Sequence, residues 1–179
     1  MSVNSVQVDQ ERRPALQHGE NFLTPGHTAE VELKVPATIQ GPKRTENAKG
    51  NIWVTDKRVL FVADTLDTPG TSASAANVPS NPPDYDAPPS LSSLEIPYIS
   101  MRSATYNLPT FSANHLLLTF IPSSSSLPDP GTGQYIELKI WIGEGAGHAI
   151  WKRIEGERIR AAERQNHSEE EDLPAYAPA

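Results

Sequence analysis

The chain has 179 residues, 37% apolar and 21% charged, with 17 prolines, no cysteine and a net charge of -7, which suits one core with flanking tails rather than two cores. The lack of cysteine excludes disulfides, thiolate metal ligands and a cysteine nucleophile. No apolar run is long enough to span a membrane and Met1 to Gln10 is polar, so the sequence predicts neither a transmembrane helix nor a signal peptide, but a soluble intracellular protein.

Residues 1–20 are polar and aperiodic and are predicted to form a disordered tail. Val31, Leu33 and Val35 then alternate with Glu30, Glu32 and Lys34, the period of a half-buried strand over Thr28–Val35. Gly41-Pro42-Lys43-Arg44-Thr45-Glu46-Asn47 reads as a loop. Two β-rich runs, Ile52–Thr55 and Val59–Val62, flank the polar pair Asp56-Lys57 and predict a hairpin. The second run is apolar on both faces, which places it centrally in a sheet. Residues 64–93 change character: rich in Ser, Pro, Ala and Asn, they predict a flexible insert. An insert of that length is unusual in a compact domain, but loop entropy grows only slowly with length.

Strand signals resume at Leu94–Tyr98, Met101–Asn107, His115–Ile121 and Tyr135–Ile142. A Ser/Pro/Gly loop, Ser123 to Gly133, precedes the last of them. Gly143-Glu144-Gly145 breaks that strand and reads as a hinge. From Gly147 to Gln165 the pattern is helical: Ile150, Trp151, Ile154, Arg158, Ala161 and Ala162 share one arc, and Ile159 falls outside it. The expected fold is mainly β, a barrel of about seven antiparallel strands capped by one C-terminal helix, with residues 21–165 as the domain and 166–179 as an acidic tail. The charge follows this division: residues 22–63 with 94–165 sum to +2 and the remainder to -9. Nothing forms the basic stripe of a nucleic-acid binder.

The segment Gly50-Asn51-Ile52-Trp53-Val54-Thr55-Asp56-Lys57-Arg58-Val59-Leu60-Phe61-Val62 resembles the core hairpin of the GRAM domain, a pleckstrin-homology-like (PH-like) fold. Together with Val31-Glu32-Leu33, Ile96-Pro97-Tyr98 and Leu108-Pro109-Thr110-Phe111-Ser112-Ala113-Asn114, it is most similar to the WW-domain-binding protein 2 group, and to that group's small fungal-type members described as stress-induced. The resemblance covers roughly residues 18–165 apart from the insert. It implies a PH-like barrel, location in cytoplasm and nucleus, and a coactivator role without direct contact to nucleic acid. That group carries proline-tyrosine motifs in a long C-terminal tail, whereas here the clear copy lies inside the domain.

That copy is Pro82-Pro83-Asp84-Tyr85, a full PPxY match. The prolines predispose the chain to a polyproline II strand that docks between the aromatic rings of a WW groove. Tyr85 fills a second pocket and sets direction, so Pro82, Pro83 and Tyr85 are the candidate binding residues. Leu173, Pro174 and Tyr176 form a related LPxY, and two such peptides on one chain engage tandem WW domains with raised effective concentration. The partners expected are WW-domain proteins, namely HECT-type ubiquitin ligases and transcriptional regulators. Lys43, Arg44, Lys49 and Lys57, near the first loops of the sheet, supply the alternative, a peripheral module making weak phosphoinositide contact. Ordinary solvated lysines and a structural Arg58 are the plainer reading of the same residues. Ser168-Glu169-Glu170-Glu171-Asp172 is a solvating acidic run that also suits an acid-directed kinase. The five histidines show no metal-ligand spacing, and no nucleophile elbow or phosphate-binding glycine loop is present. No catalytic residue, metal or cofactor is expected.

Overall fold

Period-two alternation from Glu30 to Val35 gives a strand with one dry face. Val31, Leu33 and Val35 are at most 1% exposed, while Glu32 and Lys34 are only partly covered on the other side. The computed structural model describes residues 2–38, 42–64, 91–122, 127 and 134–171. Its strands are β1 (Ser2–Val3), β2 (His27–Val35), β3 (Arg44–Val54), β4 (Arg58–Ala63), β5 (Ser93–Pro97), β6 (Met101–Asn107), β7 (His115–Phe120) and β8 (Ile136–Ile142). A 3-10 turn, Tyr98–Ser100, joins β5 to β6, and α1 (Gly147–Glu171) follows β8. Every pairing is antiparallel, in the order β1-β5-β4-β3-β2-β8-β7-β6. The seven longer strands make a curled half-barrel closed by the C-terminal helix, the architecture expected from the sequence.

The expected hairpin forms with Val54 opposite Val59 and the Thr55 N–H bonded to the Arg58 carbonyl at 3.1 Å, leaving Asp56-Lys57 as the turn. All six residues of β4 are buried, and the strand lies between β3 and β5. At Gly50 the β4 backbone leaves no room for a side chain: a Cβ there would sit 2.0 Å from the Val62 carbonyl oxygen. At the far end of β8, Glu144 (φ 59) and Gly145 (φ 70) turn the chain into α1, so the predicted hinge is an ordered left-handed turn. Ile150 and Ile154 enter the core, and the Trp151 indole N–H donates to the Ala104 carbonyl on edge strand β6 at 3.0 Å. Ile159 is exposed as the arc predicts.

Several expectations are corrected. Residues 2–20 are not a disordered tail: Ser2–Val3 pairs with Leu94 and Glu95 of β5, Val8 bridges Pro14, and Glu20 is buried. The reason is the doubly apolar β4, whose outward Leu60 and Val62 join Trp53 in a second cluster against which Val6 packs. The loop read at Gly41–Asn47 ends at Lys43, because β3 pairs with β2 back to Arg44 opposite Val35. The insert is narrower than 64–93: Asp64 is hydrogen bonded to β3, Leu91 is in the core and Ser93 begins β5. In α1, Ala162 is exposed and Glu157 occupies the buried arc in its place. The helix also runs through the predicted acidic tail as far as Glu171.

Candidate functional site

The chain on either side of residues 65–90 is joined at one point of the sheet. At that root the Ala63 N–H donates to the Ser92 carbonyl at 2.9 Å, joining the end of β4 to the approach to β5. On the departing side, the Asp64 N–H bonds to the Lys49 carbonyl at 2.9 Å and the Asn51 amide donates to the Asp64 carboxylate at 2.9 Å. On the returning side, Leu91 is buried in the core at 4% exposure.

The N-terminal segment fastens both sides of the root. The Arg12 guanidinium donates to the carbonyls of Ala63 and Asp64. Asn4 Oδ1 accepts from the Ser92 N–H at 2.7 Å and the Ser92 hydroxyl at 2.8 Å, and the Asn4 N–H donates to the Ser93 carbonyl at 2.9 Å. Asn4 (φ 56) and Arg12 (φ 61) have left-handed backbones, a conformation uncommon outside glycine and held here by these contacts. The Asp9 carboxylate caps the tight turn that presents Arg12, accepting from the N–H groups of Glu11 and Arg13, each at 2.9 Å.

Beneath this segment lies a buried ionic network. Arg58 (6% exposed) donates to both carboxylate oxygens of Glu20, at 2.9 and 2.8 Å, and pairs with Glu95 at 2.7 Å. The Thr55 hydroxyl lies 2.7 Å from Glu20 Oε1, and the Gln17 N–H donates to Glu20 Oε2 at 2.7 Å. Burial alone pushes the Glu20 carboxyl up; the bonds from Arg58, Gln17 and Thr55 outweigh it and hold the group below its ordinary value. The Tyr98 hydroxyl donates to the Thr55 carbonyl at 2.8 Å, and burial, reinforced by Glu157, pushes the phenol far above its usual range. Arg58 therefore has the structural role assigned to it by the plainer reading, and it ties the N-terminal segment to the hairpin turn.

The proline-tyrosine candidates Pro82, Pro83 and Tyr85 lie outside the described residues, as do Leu173, Pro174 and Tyr176. The four basic candidates are described and do not converge. Arg44 opens β3 and Lys57 lies past its other end, roughly 30 Å away along an extended strand. Arg44 sits 3.0 Å from Glu46, Lys49 sits 3.6 Å from Glu30, and the Lys57 ammonium donates to the His18 carbonyl at 2.8 Å. Lys43 is exposed just before β3. Glu46 is mostly buried and burial raises its carboxyl, with Arg44 only partly offsetting the shift. Among the described residues no group of three or more His, Asp and Glu could hold a metal ion, and no helix is long and apolar enough to cross a membrane. Asn4, Arg12 and Glu20 escaped the sequence reading because they belong to a polar, aperiodic segment. Their one available signal was indirect: an apolar strand needs something to cover its second face.

The sequence matches no family model and no curated protein. Among solved structures the chain is similar to one described as "Vps36 N-terminal PH domain", with a TM-score of 0.54 and 15% sequence identity, over 88% of this chain and 92% of that one. At that identity the likeness shows the fold alone, which is PH-like.

Proposed function

We propose that this chain is a non-enzymatic adaptor that displays Pro82-Pro83-Asp84-Tyr85 to WW-domain proteins from a rigid PH-like base. The observation that carries the reading is the Ala63–Ser92 hydrogen bond, with Arg12 and Asn4 fastened on either side of it. A segment whose two ends meet within one hydrogen bond does not space two domains. A peptide inserted between two such joined strand ends can be read by a partner without a change in the sheet that carries it. PH-like folds generally serve as binding modules, and the GRAM-type hairpin resembles that of the WW-domain-binding protein 2 group. The partner class is therefore HECT-type ubiquitin ligases and WW-bearing transcriptional regulators, met in cytoplasm and nucleus. Leu173-Pro174-Ala175-Tyr176 supplies a second, weaker peptide for tandem WW domains.

Calorimetric titration of the full chain with single WW domains of the HECT-ligase and coactivator types tests this. Wild type binds at about micromolar affinity, Tyr85→Ala weakens binding by about tenfold or more, and Tyr176→Ala has a smaller effect. Equal binding by wild type and the double variant, or no binding by wild type, ends the reading.

A further inference from the structure

The chain between Glu20 and β2 runs beside the end of β3. The Leu23 N–H donates to the Val54 carbonyl at 2.8 Å, Phe22 bridges Thr55, and the Val54 N–H donates to the Thr24 hydroxyl at 3.0 Å. Between this crossing and the N-terminal turn lies an open cavity of about 470 Å³, lined by the crossing itself from Phe22 to Gly26 and by Trp53 and Arg13. That volume lies within the range of small-molecule sites.

Trp53 is 9% exposed, yet its indole N–H has no hydrogen-bond partner among the described residues. A buried indole N–H usually finds one, as Trp151 does at the Ala104 carbonyl. A Cβ on Gly26 would fall 2.8 Å from Nε1 and Cε2 of Trp53 and 3.0 Å from its Cζ2. The nitrogen edge of the ring therefore faces Gly26, and both residues line the cavity. The other two polar side chains in the lining are donors as well. The Thr24 oxygen already accepts from Val54, which leaves its hydroxyl proton free. Arg13 is placed by its own N–H, which donates to the Asp9 carboxylate at 2.9 Å. Its guanidinium lies 3.5 Å from Glu11, but both side chains are mostly exposed, and so open a pair is weak. No carboxylate lines the cavity among the described residues, and Phe22, Leu23 and Pro25 give it an apolar wall.

We infer that this cavity binds a small organic acid, a carboxylate carried on an apolar or aromatic body. The carboxylate accepts from the Trp53 indole N–H and the Arg13 guanidinium, and the body lies against Phe22, Leu23 and Pro25. A cation or an amine is the wrong charge for a lining of donors without an acceptor side chain. The site does not depend on what Pro82-Pro83-Asp84-Tyr85 binds. It adjoins the same turn, however, because Arg12, next to Arg13, donates to the carbonyls of Ala63 and Asp64.

The test is a nuclear magnetic resonance titration of the isotope-labelled full chain with phenylacetate and with its uncharged amide, phenylacetamide. The Trp53 indole N–H signal moves saturably with the acid, with a Kd of about millimolar order, while those of Trp141 and Trp151 stay in place. Arg13→Ala weakens acid binding by about tenfold with the melting point unchanged, and the amide binds wild type about tenfold more weakly than the acid does. Phe22→Ala weakens acid and amide alike. A Trp53 signal that does not move, acid and amide binding equally, or Arg13→Ala binding like wild type overturns the inference. So does a shift produced by a peptide ending in phenylalanine but not by the free acid, because the occupant would then be a protein tail.

Discussion

Glu20 is buried and Glu46 partly buried, and the two acids answer pH with opposite signs. Glu20 carries a lowered carboxyl because Arg58, Gln17 and Thr55 bond its charged form. Its contribution to stability is fully present above the unfolded value near 4.5 and is lost as pH falls through its lower folded value. Glu46 is raised by burial that Arg44 only partly offsets, so its ionisation weakens the fold as pH climbs above about 4.5. Glu20→Gln should therefore cost about 3 kcal/mol at neutral pH, the low end for breaking a buried pair because Glu95 still holds Arg58, and should flatten the acid limb of the stability curve. Glu46→Gln should leave neutral-pH stability equal or higher and lower it, if at all, only in acid. Urea unfolding of wild type and both variants between pH 2 and pH 7 checks the two signs together. Gly50 is the other sharp position at this scale. Gly50→Ala must displace the backbone of β4, for an expected loss of about 2–3 kcal/mol by the same measurement.

Among the elements, the N-terminal segment is where sequence and structure part most. Most strands were legible because apolar residues repeat along at least one face, and Met101–Asn107 falls on the predicted bounds. Residues 2–20 were not, because they work through backbone pairing and a few side chains, Val6, Arg12 and Glu20 among them, and so leave no periodicity. Yet β4 implied a cover: Arg58-Val59-Leu60-Phe61-Val62-Ala63 is apolar on alternate positions of both faces, and a barrel buries only one. Removing residues 1–19 should bare Leu60 and Val62, each worth about 1.5–3 kcal/mol when fully buried. The expected outcome is a melting point lower by roughly 10 °C and new binding of a hydrophobic dye. An unchanged melting point would mean the strap contributes nothing to the sheet beneath it.

For the molecule as a whole, the proline-tyrosine motif and the root on either side of its segment were legible to different degrees. Pro82-Pro83-Asp84-Tyr85 is readable in sequence because a PPxY match is only a short run of residue types. The root is not readable, because Asn4, Arg12, Ala63 and Ser92 meet only after the sheet has formed. The GRAM-like hairpin pointed to a PH-like barrel, and the structure has that fold. If the root is self-sufficient, residues 65–90 are dispensable for folding. Replacing residues 65–90 with a four-residue Gly/Ser link shortens the loop by roughly two to three doublings, each worth about 0.6 kcal/mol of closure entropy. The shortened chain should therefore be more stable than wild type by about 1–2 kcal/mol in urea, with α1 and the sheet unchanged by circular dichroism. It should also lose WW binding at the Tyr85 site, while Tyr85→Ala in the full-length chain loses the binding without gaining the stability. A shortened chain that unfolds would show that residues 65–90 help build the core, and the proposed separation of a folded base from a displayed peptide would fail.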